Sequence, residues 1–170
     1  GLTNKKTISL GTQTTRIQAT INADDTVTVE LGIPRFAPQE IPLNLAKQQD
    51  VYDLITANGQ TLKVHALSLG NPHAVSIRSD LENCPVASLG KIISEHPLFP
   101  MQCNAGFMQI LSPNEISLRV YERGVGETQA CGSGATAAGV VARAFYQMEP
   151  TILVHLPGGD LSVTWETKDR

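Results

Sequence analysis

Apolar and polar residues alternate along much of this chain, and strands dominate the elements that the pattern predicts. Thr15-Arg16-Ile17-Gln18-Ala19-Thr20-Ile21 and Thr26-Val27-Thr28-Val29-Glu30-Leu31 place apolar side chains at every second position. The Asn22-Ala23-Asp24-Asp25 turn between them predicts a β-hairpin. Val51–Ile55 and Thr61–Leu69 flank Asn58-Gly59, a dipeptide suited to the positive φ angles of a tight turn. Ala74–Ile77, Phe107–Leu111 and Ile116–Tyr121 read as further strands. Ile152–Leu156 and Leu161–Trp165 form another hairpin, joined by Pro157-Gly158-Gly159-Asp160.

Two segments carry helical spacing instead. Val86, Leu89, Ile92 and Ile93 follow Pro85, a residue favoured at a first helical position. The second helix runs from Gly132 to about Gln147, opening with tiny residues and continuing through Val140, Val141, Ala144 and Phe145. Alanine and glycine on nearly every face imply close packing on all sides, so strands should wrap this helix. The expectation is an α+β fold of mixed and antiparallel strands around a central helix. The proline-rich stretch Gly32-Ile33-Pro34-Arg35-Phe36-Ala37-Pro38, with Pro42 beyond, reads as a linker that divides residues 1–32 from 33–170.

Composition narrows the function. At 170 residues and 41% hydrophobic content the chain can bury a real core. A net charge of −3 leaves no basic face to neutralise phosphates, which argues against nucleic acid as a partner. No apolar run approaches the ~20 residues needed to span a bilayer, and the N-terminus lacks the build of a secretory signal. Cys84, Cys103 and Cys131 cannot all pair within the chain, and their spacing fits neither a metal knuckle nor a disulfide framework. A reducing cytoplasm is the simplest account, with Cys84 and Cys103 structural.

Cys131 is different. It enters a Gly-Ser-Gly turn and then the small-residue helix, with Glu122 and Arg123 a short loop upstream. A helix start offers unpaired backbone N–H groups and a partial positive charge, which hold a carboxylate and favour thiolate over thiol. Taken singly, these features have ordinary readings: a half-buried thiol, an N-cap, a solvated ion pair. Asn71-Pro72-His73 and Asn104-Ala105-Gly106 likewise could be plain turns. Together, Asn71, His73, Asn104, Glu122, Arg123 and Cys131 make a polar set suited to a small zwitterion with more than one carboxylate. Arg123 can grip one carboxylate bidentately, and the Gly132-Ser133 helix start can hold another.

Gly-Asn-Pro-His-Ala-Val at 70–75, Asn-Ala-Gly-Phe-Met-Gln at 104–109 and Tyr-Glu-Arg-Gly-Val-Gly-Glu-Thr-Gln-Ala-Cys-Gly-Ser-Gly-Ala at 121–135 resemble the diaminopimelate epimerase family. The resemblance spans essentially the whole chain in the correct order, and the last motif is highly specific. Two departures accompany it. The family carries a first catalytic cysteine in an N-terminal Cys-Gly-Asn-Gly turn and ends on a Met-Thr-Gly-Pro strand, and neither occurs in this sequence. The expectation is a chain truncated at both ends. Residues 1–32 would then be the last strands of a first domain, and 33–170 most of the second.

The resemblance implies conversion of LL-diaminopimelate to the meso form, a step in lysine and cell-wall precursor synthesis, with neither a cofactor nor a metal. One thiolate removes the α-proton while a second thiol delivers a proton to the opposite face. Cys131 would be one of the two. Gly132 and Ser133 would donate N–H groups to the reacting carboxylate. Asn71, Asn104, Glu122 and Arg123 would bind substrate, and His73 and Glu122 would adjust thiol pKa values. The 170-residue chain alone would be inactive, and an apolar face left uncovered would favour self-association, as a homodimer or otherwise. Two alternatives stand beside this reading: another isomerase of the same fold, such as a proline racemase relative, and a Cys-His acyl-transfer enzyme using Cys131 and His73.

Overall fold

A computed structural model describes residues 5–11 and 16–167, in two compact units that divide between Ile33 and Pro34. Thr15, expected to open the first strand, and the terminal Lys168-Asp169-Arg170 lie outside the described residues.

The first unit is an antiparallel meander of β1 (Thr7–Gly11), β2 (Arg16–Ile21) and β3 (Val27–Glu30). The hairpin between β2 and β3 is the one the alternation predicts. Asn22 N–H donates to Thr26 O, and Asp25 takes the left-handed φ of 65° that closes the turn. Leu10, Ile21, Val27 and Val29 are all exposed. None of this unit's described residues belongs to a hydrophobic core cluster.

The second unit is a mixed sheet with a helix on each face. Its strands are β4 (Tyr52–Ile55), β5 (Thr61–Ser68), β6 (Pro72–Ile77), β7 (Asn104–Ser112), β8 (Glu115–Glu122), β9 (Gly126–Thr128), β10 (Thr151–Leu156) and β11 (Gly159–Thr164). They lie in the order β11-β10-β8-β7-β6-β5-β4, with β9 paired to the end of β8. β6 with β7 and β8 with β10 are parallel, and the other pairs are antiparallel. At the β4–β5 turn Gly59 supplies the φ of +81° that a side chain would resist.

Helix α2 (Gly132–Tyr146) is the central helix that its composition demands. Gly134 through Ala142 are buried apart from Thr136, packed among Leu67, Val75, Met108, Leu118 and Val154 of the surrounding strands. A Cβ at Gly139 would lie 2.7 Å from Val163 Cγ1 of β11, so only glycine lets strand and helix approach this closely. The helix ends at Gln147, a C-cap in the left-handed conformation.

Helix α1 (Val86–Ser94) covers the opposite face over β7, β8 and β9. Two details differ from expectation. Pro85 takes the N-cap, one residue before the helix proper, and Ile92 points outward with 41% exposure. Gly90 occupies the buried stripe instead, because a Cβ there would overlap Tyr121 of β8. The helix gives up one apolar contact so that the Tyr121 ring can lie against its backbone.

Candidate active site

Strand pairing brings the polar residues to one edge of the sheet. His73 stands opposite Asn104 where β6 and β7 begin in parallel, and Tyr121 pairs with Ala105 as the antiparallel β8 ends. The starts of β6 and β7 and the end of β8 therefore meet at the same edge. Helix α2 starts there as well, since Gly134 packs against Val120, with its added Cβ only 3.1 Å from Val120 Cγ2. His73 and Asn104 lie inside strands rather than in the turns that their sequence context suggested, and Asn71 keeps its turn position.

The side chains hold one another. Asn104 Oδ1 accepts a 2.9 Å hydrogen bond from the Arg123 backbone N–H. The Asn104 amide NH2 makes no hydrogen bond among the described residues. The Arg123 guanidinium is exposed and donates to Met101 O at 2.8 Å. Glu122 Oε1 accepts a 2.6 Å bond from the hydroxyl of Thr128 on β9. Gly158 N–H, at the tip of the β10–β11 hairpin, donates to Gln129 O at 2.8 Å and anchors the loop into Cys131.

His73 is 2% exposed, and its Nε2 lies 3.1 Å from Asn71 Oδ1. A carbonyl oxygen only accepts, so the ring carries its proton on Nε2. Burial, with a smaller contribution from the Arg123 charge, lowers its pKa to about 4, and the ring is neutral at pH 7.

Cys131 is the N-cap of α2 in extended conformation, with Sγ 3.7 Å from Ser133 Oγ. The first helical bond runs from Ala135 N–H to Cys131 O, leaving the Gly132 and Ser133 amides outside the helix ladder. The helix-start argument for a lowered thiol pKa meets a stronger effect. Burial pushes the thiol up, the Ser133 hydroxyl and Gly134 amide pull it partly back, and the Glu122 carboxylate raises it again. The resting group is a thiol, poised to donate a proton.

The structure thus gathers Asn104, Glu122, Arg123, Cys131, Gly132 and Ser133 around the α2 start, with Asn71 and His73 paired at the head of β6. The thiol lies against Ser133 and feels the Glu122 charge, whereas His73 bonds Asn71, and among the described residues no hydrogen bond joins His73 to Cys131. A Cys-His dyad is not assembled here. Cys103 is fully buried, its pKa driven far up by desolvation, and Cys84 lies in the cluster on the α1 face. The described residues hold no group of three or more His, Cys, Asp or Glu side chains placed for a metal, and no helix long and apolar enough to cross a membrane. Sequence reasoning missed Thr128 and the Met101 carbonyl. Thr128 sits inside the same motif, but only the pairing of β9 with β8 reveals its partner.

The mixed sheet and its central helix define an α+β fold that a solved structure shares. The crystal structure of a probable proline racemase from Agrobacterium radiobacter K84, with bound carbonate, superposes with a TM-score of 0.62 at 14% identity, covering 92% of this chain and 51% of that one. The family model described as diaminopimelate epimerase matches residues 65–170. A diaminopimelate epimerase from Legionella pneumophila (strain Paris) is 53% identical over 165 residues, 97% of this chain. One from Pseudomonas savastanoi pv. phaseolicola is 44% identical over 164 residues, 96% of this chain. This chain belongs to the diaminopimelate epimerase family, and it spans about 60% of the length of these curated relatives.

Proposed function

We propose that this chain supplies one acid/base half of an epimerase acting on LL-diaminopimelate, giving the meso form by two-thiol proton transfer. The observation that carries the reading is the Cys131 thiol at the α2 N-terminus, with Glu122 beside it and the Gly132 and Ser133 amides outside the helix ladder. Family membership supplies the substrate.

An amino acid's α-proton is very weakly acidic, so the enolate-like charge that develops on the α-carboxylate must be stabilised. The Gly132 and Ser133 amides meet that need, since such donors are worth about 3–4 kcal/mol each where measured. Cys131, held protonated by burial and by Glu122, delivers its proton to one face of the α-carbon and becomes thiolate. In the reverse direction the thiolate takes the proton back. Arg123 and the NH2 groups of Asn104 and Asn71, donors all, suit the distal carboxylate. His73 stays neutral, which avoids a second positive charge beside Arg123.

The opposite face needs a second group. Cys84 and Cys103 are buried elsewhere, so the 170-residue polypeptide by itself is expected not to turn over. Residues 1–32 would belong to the domain that carries that second group, and the reaction would take place in the cytoplasm. The test is a chimera that places these 170 residues behind the upstream portion of the Legionella relative. Incubated with LL-diaminopimelate in heavy water, it should incorporate α-deuterium and yield the meso isomer, with Cys131→Ala slowing it at least about 100-fold. A chimera that exchanges proline but not diaminopimelate, or that keeps its rate without Cys131, would overturn the proposal.

A further inference from the structure

Strand β9 exists for three residues, and its last one reaches the site. Thr128 pairs with Val120 of β8, two residues before Glu122, and its hydroxyl donates to Glu122 Oε1 at 2.6 Å, a short charge-assisted hydrogen bond. Glu122 itself pairs with Gly126 at the other end of the same ribbon. The carboxylate is thus tied to the far strand of its own hairpin. We infer that Thr128 is a positioning residue: its hydroxyl holds the Glu122 carboxylate against Cys131, and through it sets when that thiol gives up its proton.

A Cβ on Gly134 would lie 3.1 Å from Val120 Cγ2 and 3.2 Å from Cys131 Sγ, so the thiol stands beside the end of β8, where the charge of Glu122, two residues on, opposes its ionisation. The other groups at this corner act elsewhere. Arg123 reaches Met101 O, its charge is felt by His73 and Cys103, and His73 on β6 bonds Asn71. From α2 itself, the Ser133 hydroxyl and the Gly134 amide favour the thiolate. A glutamate side chain has three rotatable bonds and half-exposed surroundings, so without a tether its carboxylate would spend most of its time in water. The Thr128 hydroxyl removes that freedom. A valine has the same shape but offers no donor.

This inference rests on the reading of Cys131 as an acid/base residue, but its test does not require turnover. The rate of Cys131 alkylation by iodoacetamide, followed by peptide mapping from pH 6 to 10, reports the thiol's ionisation in the 170-residue chain. Thr128→Val should free the carboxylate, lower the midpoint and raise the rate at pH 7.5 about threefold or more, by the size of effect that a nearby charge exerts. Glu122→Gln should do the same, the double variant no more than either alone, and Thr128→Ser should restore the parent profile. A Thr128→Val midpoint that stays put or rises while Glu122→Gln falls would overturn the inference. So would a Glu122→Gln profile equal to the parent's, or Thr128→Ser behaving like Thr128→Val. If diaminopimelate is the wrong substrate, the chimera fails in heavy water whatever residue 128 is, and the alkylation profiles still decide the role of Thr128.

Discussion

Acidification should destabilise this domain through one histidine. His73 is buried in β6 with its ring neutral, because the strand end offers it no water and places it near the Arg123 charge. Its pKa falls from 6.5 to about 4 on folding, so between those values the unfolded chain binds a proton that the folded one refuses. Stability therefore rises with pH across that interval, is fully present above 6.5, and is lost as pH falls toward 4. The whole linkage is worth about 3 kcal/mol, and about 2 kcal/mol of it appears between pH 7 and pH 5. Against a typical 5–15 kcal/mol of total stability that is a visible loss. Trp165, the single tryptophan, packs 6.4 Å from the Phe36 ring and reports on this unit. Urea titrations followed by its fluorescence should show the midpoint dropping from pH 7 to pH 5 in the parent. In His73→Gln the loss of unfolding free energy between those pH values should be smaller by about 2 kcal/mol, whatever its stability at pH 7. An equal pH slope in the two proteins would refute the reasoning, since the proton would then be binding elsewhere.

Two further outcomes follow from packing and charge. Among the three thiols, iodoacetate should modify Cys131 first, because its negative charge is drawn to the Gly132 and Ser133 amides, and Cys103 last, because it is fully buried; peptide mapping at pH 8 checks the order, and earlier labelling of Cys84 would count against the site. Gly139→Ala should cost about 1–3 kcal/mol in urea denaturation, since the new methyl meets Val163 at 2.7 Å, and Val163→Ala in the same chain should recover most of the loss.

The large elements were legible because each had one dominant cause. Alternation alone located most strands, and the run of Ala and Gly in α2 could only mean a helix enclosed on all sides. Two strands were missed. β1 alternates over Thr7–Gly11 and was simply passed over, whereas β9 holds a single glutamate between Gly126 and Thr128, which gives no period to read. The error in α1 has a tertiary origin. Spacing nominated Ile92 for the core, but the Tyr121 ring requires a glycine beneath it, and the buried stripe turns toward Gly90. No single-helix pattern contains that ring.

At the candidate site, the grouping of the residues was readable in the sequence and their ionisation was not. Cys131, Gly132 and Ser133 are contiguous, Glu122 and Arg123 lie one hairpin upstream, and a helix start beside a thiol suggests its chemistry unaided. The direction of the thiol's pKa depends on a competition among burial, two donors of α2 and a carboxylate from another strand. Sequence shows the helix start, whose influence favours thiolate, and hides the burial that outweighs it. His73 errs for the same reason. Placed in a turn it would titrate near its ordinary value and could serve as a base. Placed inside β6 it is desolvated, committed to Asn71 through Nε2, and neutral over the physiological range. The two shifts work together. A neutral imidazole and a protonated thiol leave Glu122 and Arg123 as the charges that His73 and Cys131 feel, with the α2 amides beside them, a balance that suits the dicarboxylate proposed above.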